Sequence, residues 1–231
     1  MKIVIDQGHS ENGQPDPGAS GNGLRESDLT GKLGEIVKQK LSGYETEVLL
    51  APRGELSDRA AFANSAGASL FVSIHINAGG GHGYESHIHP NASGATLAIA
   101  ESIHTALASW YGERGHFDRG LKRSNFAVLR ETNMPAILLE NLFIDNADDA
   151  TFLRDNLPAI GNEIAWAIVQ AMGLKAKTQP VDELAKLKAI LDQRDIELAA
   201  AYDMNLKLDI EIRRLRQVIK QAGATLAPEM V

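Results

Sequence analysis

The chain has 231 residues with 30 acidic and 23 basic side chains, and its formal charge of −7 argues against a general nucleic-acid binder, which would carry a basic face. With 44% apolar and 23% charged residues it has the composition of an ordinary soluble protein, long enough for one well-buried domain plus an appendage. Cysteine is absent, which excludes disulfides and thiolate metal sites, so any metal must be held by His, Asp or Glu.

The first residues run straight into a strand pattern, Met1-Lys2-Ile3-Val4-Ile5-Asp6, with no basic segment followed by a long apolar one. The reading is therefore cytoplasmic synthesis without a secretory signal. No stretch reaches the roughly 18 apolar residues of a membrane span. Short runs rich in Val, Ile and Leu predict strands over residues 2–6, 47–51, 69–75, 83–89, 126–130 and 136–140. Helical spacing predicts helices over 27–41, 58–66, 94–110 and 157–172. The last of these has Asn156 as N-cap, Pro158 in its first turn and Gly173 as its stop. This alternation predicts an α/β fold over residues 1–173, a mainly parallel, twisted six-stranded sheet flanked by helices.

After a polar linker at 174–180, residues 181–223 are charged, with apolar residues at a 3,4 spacing. Taking Leu184 as heptad position a puts Leu191, Leu198, Ile212 and Ile219 at a, and Leu187, Ala201, Leu208, Leu215 and Ala222 at d. Arg194 at d and Asn205 at a are the polar entries. Branched residues at a, Leu at d and one Asn at a favour a parallel two-stranded coiled coil, and hence a homodimer. A helix folded back on the first domain is the alternative. Gly223 ends the pattern, leaving a tail at 224–231.

Functional groups of parallel sheets collect at the carboxyl ends of the strands. His9, His75 and Glu140 each follow an apolar run at such an end, and the Gly-, Pro- and Asn-rich stretch 11–23 would form the loop over that edge. Glu26 precedes a helix start, where the helix dipole alone favours a carboxylate. Two imidazoles and one carboxylate are a common ligand set for a hydrolytic zinc ion, and a second carboxylate can carry protons. Glu140 closes a run buried on both faces, so desolvation would raise its pKa towards that of a general base; an ion pair with Arg59 or Arg130 is the bland alternative. Asp6 and Arg59 are candidates for orienting the imidazoles. Asn77 lies two residues past His75, and His82 sits in a Gly-rich loop beside the site. His87 and His89 alternate with Glu85 as either a second metal face or a polar sheet face, His104 is on a helix, and His116 is read as solvated.

The segments match a known family in chain order. They are Ile3-Val4-Ile5-Asp6-Gln7-Gly8-His9, Gly23-Leu24-Arg25-Glu26, Leu56-Ser57-Asp58-Arg59, Leu70-Phe71-Val72-Ser73-Ile74-His75-Ile76-Asn77, Arg119-Gly120-Leu121-Lys122, Val128-Leu129-Arg130, Met134-Pro135-Ala136 and Glu140-Asn141-Leu142-Phe143-Ile144-Asp145-Asn146. With these the chain resembles the zinc-dependent N-acetylmuramoyl-L-alanine amidases of the amidase-3 type, which cut peptidoglycan between the lactyl group and the stem peptide. The resemblance implies Zn2+ held by His9, Glu26 and His75, Glu140 as the catalytic carboxylate, and peptidoglycan as partner. Asn77, His82 and Lys122 are the candidates for substrate contacts. Bacterial autolysins of this type usually carry Pro-Gly-His-Gly where this chain has Gln7-Gly8-His9-Ser10, and the Phe-x-Asp-Asn form at 143–146 is similar to phage endolysin members. The competing expectations are a zinc peptidase acting within the stem peptide and a non-catalytic wall-binding dimer.

Overall fold

In the computed structural model, the described residues are 1–178, 186, 188–198, 201, 202, 204, 207, 208, 211, 212 and 215. The first unit, Met1–Lys177, is built on a six-stranded sheet. Its strands are β1 (Lys2–Gln7), β4 (Glu47–Leu50), β5 (Leu70–Asn77), β6 (Tyr84–Ile88), β7 (Asp118–Arg123) and β8 (Ala136–Phe143). A two-stranded ribbon, β2 (Ser20–Gly21) with β3 (Leu24–Arg25), stands apart from it. The sheet order is β4-β1-β5-β8-β6-β7; β4, β1, β5 and β8 are parallel neighbours, β6 runs antiparallel to β8, and β7 runs parallel to β6.

The apolar runs of β1, β5 and β8 are buried because both sheet faces are covered. Ile3, Ile5, Leu70, Val72, Ile74, Ile137 and Leu139 face one core, which takes in residues of α1 (Glu26–Leu41), α3 (Gly94–Gly112) and α5 (Ala147–Met172). Their alternating neighbours Val4, Phe71, Ala136 and Leu138 face a smaller core under α2 (Leu56–Ala66) and α4 (Ala127–Arg130). Asp6, Ser73, His75 and Glu140 share the parity of that second set and so fall on the thinly covered face, whereas Gln7 and Asn141 point to the larger core and bond to Gly31 and Tyr111 there. Among the described residues no helix is long and apolar enough to cross a membrane.

Two local expectations are corrected. Residues 126–130, expected as a strand, contain the single helical turn α4, which inserts Val128 and Leu129 into the smaller core. The sixth strand is instead β7, whose Asp-Arg-Gly-Leu-Lys-Arg sequence lies on a half-exposed sheet edge and so lacks an apolar signature. Helix α5 begins ten residues earlier than expected, at Ala147: Asn146 caps it by accepting from the N–H groups of Asp148 and Asp149. Asn156 marks a kink (φ −122°, ψ 15°) two residues ahead of Pro158, which lacks the N–H that a helix interior requires. The helix resumes because Leu153, Leu157 and Ile160 all stay buried on its inner side. Gly173 stops it in the left-handed conformation.

The chain after α5 stays tied to the first unit: Glu45 N–H donates to Lys175 O and Lys177 N–H to Gly43 O. The second unit is Thr178–Val231. Its described residues from 186 onward are helical and exposed, Leu191, Leu198, Leu208, Ile212 and Leu215 of the heptad pattern among them. The pattern's Leu184, Leu187, Asn205, Ile219 and Ala222 lie outside the described residues.

Candidate metal centre

His9 follows the end of β1 with φ 69°, the left-handed region, a conformation that costs a non-glycine residue roughly 1–2 kcal/mol. Four donors hold the backbone there. Thr30 Oγ1–H (2.7 Å) and Arg53 Nη2 (3.1 Å) donate to Gly8 O, while Arg59 Nη2 (3.0 Å) and Arg53 Nε (3.3 Å) donate to His9 O. Arg59 is fully buried and is neutralised by Asp6, whose other oxygen accepts from Ser73 Oγ–H at 2.6 Å. Asp6 and Arg59 therefore fix the strand end that carries His9 rather than its ring.

The ring is oriented by Asp16, whose Oδ2 lies 2.8 Å from His9 Nδ1. An Nδ1–H donated to that carboxylate leaves Nε2 as a lone-pair donor for a cation. Two glycines make the necessary room. A Cβ on Gly8 would lie 2.5 Å from the His75 ring, and one on Gly18 would lie 2.6 Å from the His9 ring and 2.7 Å from Glu26 Oε2.

Glu26 opens α1, where the helix N-terminus favours a carboxylate. Its Oε2 accepts from Ala19 N–H and its Oε1 from Ile76 N–H, both at 2.9 Å. The same Oε1 stands 2.9 Å from His9 Nε2 and 3.0 Å from His75 Nδ1. Burial works against its charge, but the hydrogen bonds and charges of His75 and His9 outweigh it and hold the carboxyl well below the usual carboxylate range. In return, burial would lower both imidazoles and Glu26 outweighs it, leaving each raised. His9, Glu26 and His75 each offer one ligand atom, and these atoms lie within 4.8 Å of one another, the only such group among the described residues.

Glu140 is the register partner of His75 on β8 and shares a face with it. Both strands run on beyond them, to Asn77 and Phe143, so the two side chains stand on the sheet face just inside the strand ends. Glu140 Oε2 is buried without a hydrogen-bond partner among the described residues. Burial pushes its pKa up to about 7, with the neighbouring carboxylates Glu26 and Glu85 adding to the rise against the pull of His75. The alternative ion pair does not form: Arg59 is committed to Asp6, and Arg130 to Asn125 and Glu131. His9, His75, Asp16 and Glu140 open into a cavity of about 280 Å³ whose other wall is apolar, formed by Leu56, Phe126, Ala127, Val128 and Leu138. Asp16 carried no motif of its own in the sequence; the one clue to it was its place in the loop between two candidate ligands.

The remaining candidates lie around this cavity rather than in it. Asn77 Nδ2 donates to Glu85 Oε1 at 3.1 Å, and Lys122 Nζ donates to Glu85 Oε2. His82 is exposed and meets Phe117 edge-on at 5.9 Å. His87 contacts Glu85, whereas His89 accepts from Asn91 N–H, so the two do not share an ion. His104 pairs with Asp118. His116, expected in solvent, is instead paired with the buried Asp149 at 2.9 Å.

The donor set suits zinc by its chemistry: two imidazoles and one carboxylate converge, with a proton acceptor beside them and open space in front. The comparisons with known proteins agree with this picture. The chain is 40% identical over 183 residues to the sporulation-specific N-acetylmuramoyl-L-alanine amidase of Bacillus subtilis (strain 168), covering 76% of this chain and 69% of that one. It is 41% identical over 186 residues to the endolysin of Bacillus phage SPP1, covering 76% and 68%. Among solved structures, the N-acetylmuramoyl-L-alanine amidase of Clostridium difficile 630 matches with a TM-score of 0.66 and 29% identity over 74% of this chain and 94% of that one. The catalytic domain of CwlV, an N-acetylmuramoyl-L-alanine amidase of Bacillus (Paenibacillus) polymyxa var. colistinus, matches with a TM-score of 0.64 and 31% identity over 74% and 95%. The family model for N-acetylmuramoyl-L-alanine amidase matches residues 3–173, the whole sheet with its helices, and the chain belongs to that hydrolase family.

Proposed function

We propose that the chain hydrolyses the amide between the lactyl group of N-acetylmuramic acid and the L-alanine of the stem peptide in peptidoglycan, with zinc held by His9, Glu26 and His75. The observation that carries the reading is the convergence of these three ligand groups beside Glu140, a buried carboxyl with an unpartnered oxygen. A zinc ion supplies Lewis-acid polarisation of the scissile carbonyl and acidifies water. Glu140 takes the proton of the attacking water and returns it to the leaving amine; its raised pKa matches that double duty near neutrality. Asp16 holds the His9 tautomer, and Phe126 and Leu56 form an apolar wall beside the reacting amide.

Mass spectrometry of purified walls digested by the zinc-loaded protein tests the reading. Free N-terminal L-alanine on released stems is the expected product, and cleavage within the stem would replace the amidase by a peptidase. For the carboxy-terminal segment we assign a dimerising role on its heptad spacing, which would double wall contacts without a new binding site. Sedimentation of the full chain against a 1–177 truncation checks that role, and equal monomeric behaviour would overturn it.

A further inference from the structure

Beyond Glu140 the same sheet face continues into a charged cluster with no part in the chemistry above. Glu85 on β6 is the register partner of Glu140 and is 6% exposed. Its carboxylate is saturated. Oε2 accepts from Arg119 Nε and Lys122 Nζ, and Oε1 from Asn77 Nδ2 and His87 Nε2. Burial keeps His87 neutral by lowering its pKa. One carboxylate thus fixes two cations and leaves a surplus positive charge. An ion pair serving stability alone would need one cation. The two cationic side chains remain 30% and 38% exposed. Among the described residues Lys122 makes a single hydrogen bond and Arg119 Nη2 makes none, so donors are left for a ligand.

The position of the cluster says which ligand. Across the strands β5, β8 and β6 the order is His75, Glu140, Glu85, and Lys122 lies on β7 beyond them, in register with His87. Neighbouring strands are about 4.8 Å apart, so the Glu85 carboxylate, with the cationic groups bonded to it, stands roughly 10 Å from His75 on the far side of Glu140. The group that receives a proton from Glu140 is the leaving amine, so the stem peptide extends from Glu140 away from the ligands. An extended chain covers about 3.5 Å per residue and reaches the cations by its second residue. Cluster and cavity also share a wall, since the His87 ring lies 5.1 Å from that of Phe126.

We infer that Arg119 and Lys122, held in place by Glu85, form a subsite for the free α-carboxylate of the acidic second residue of the stem, and that the enzyme discriminates this carboxylate from a carboxamide. The inference rests on the amidase reading. Two N-acetylmuramoyl tripeptides that differ only in whether that carboxyl is free or amidated are compared as substrates of the zinc-loaded chain. The corresponding free tripeptides are compared as ligands by calorimetry. The free-carboxylate forms should be favoured about tenfold or more in both kcat/KM and Kd, as expected for a charge-assisted hydrogen bond. Lys122→Met and Arg119→Gln should erase the preference, raising KM and Kd for the free-carboxylate forms towards those of the carboxamide forms. Equal use of both forms by the parent chain, or variants that slow both forms alike, would overturn the subsite. Tripeptide discrimination that the two variants abolish, without cleavage at the lactyl–alanyl bond, would keep the subsite and sink the amidase reading instead.

Discussion

His75 and Glu140 are register partners on adjacent parallel strands and face the same side of the sheet, yet their electrostatic states are opposite in origin. His75 is held by the Glu26 carboxylate, which overcomes the cost of burial. Glu140 has no hydrogen-bonded partner for its buried oxygen among the described residues, and burial raises its pKa to about 7. The sheet spacing of about 5 Å thus sets an imidazole committed to Glu26 beside a carboxyl with an uncommitted oxygen.

Replacing Glu140 by Gln keeps the shape of the side chain and removes the acceptor. The expected outcome is a loss of about a hundred- to ten-thousandfold in kcat, the usual range for a general base, with zinc content unchanged. Stem release and metal analysis on the same sample check both halves. Activity of the parent should fall as acid protonates Glu140, with the limb at or below pH 7 because a nearby cation favours the carboxylate. A rate in the variant equal to the parent's would remove Glu140 from the mechanism.

The same carboxyl makes a signed prediction for the metal-free protein. Its folded pKa of about 7 lies above its ordinary 4.5, so between these values the folded state binds more protons than the unfolded. Stability is therefore lost as pH rises through that window, by at most about 3 kcal/mol. Glu140→Gln should abolish this slope and be the more stable protein at pH 8, while the two converge near pH 4. Urea midpoints at both pH values decide it. A parent more stable than the variant at pH 8 would contradict a desolvated Glu140.

Much of the site was legible because its residues interrupt strong patterns. His75 and Glu140 break runs that are apolar on both faces, and a polar group there needs a purpose. The sheet and its mainly parallel order followed from the alternation of the same runs with helices. The edge strand β7 was missed for the opposite reason: Asp118–Arg123 has no buried face to signal, and the apolar Val128 and Leu129 nearby drew the assignment instead. Asp16, Phe126 and the Glu85 cluster depend on which loops and edges meet in space, which no local spacing encodes.

Zinc affinity should depend steeply on pH. In the metal-free centre Glu26 raises both imidazoles, so protons must leave His9 and His75 before a cation is bound. Affinity should rise with pH by up to about two log units per pH unit below the raised imidazole pKa values, and level off above them. Competition with a chromogenic chelator from pH 5.5 to 8 measures the slope. Affinity that does not change across this range would mean that the imidazoles are not the ligands.

Asp16→Ala removes the group that faces His9 Nδ1 at 2.8 Å and leaves the ring free to turn. Loss of such an orienting carboxylate costs about ten- to a hundredfold in metal affinity. Because Asp16 is 54% exposed on its side chain, folding stability should be nearly unaffected. Zinc affinity equal to the parent's would show that the loop, rather than the carboxylate, orients His9.

Arg59 ties the fold to the site most tightly. It is 1% exposed, neutralises the fully buried Asp6, and donates to the carbonyls of His9 and Gly54. Arg59→Leu strands the Asp6 carboxylate with Ser73 as its remaining side-chain partner and should cost about 3–5 kcal/mol. Removing both charges, with Asp6→Leu and Arg59→Leu together, should recover part of that loss, because a buried ion pair is often replaceable by apolar groups of similar volume. Activity should not recover with it. The left-handed turn at His9 would still lack the shorter of the two guanidinium bonds to its carbonyl, with Arg53 alone remaining, and the ring would lose its aim at Glu26. Denaturation midpoints and wall hydrolysis across the single and double variants separate the two roles. A double variant that regained stability and full activity together would reduce Arg59 to a packing residue.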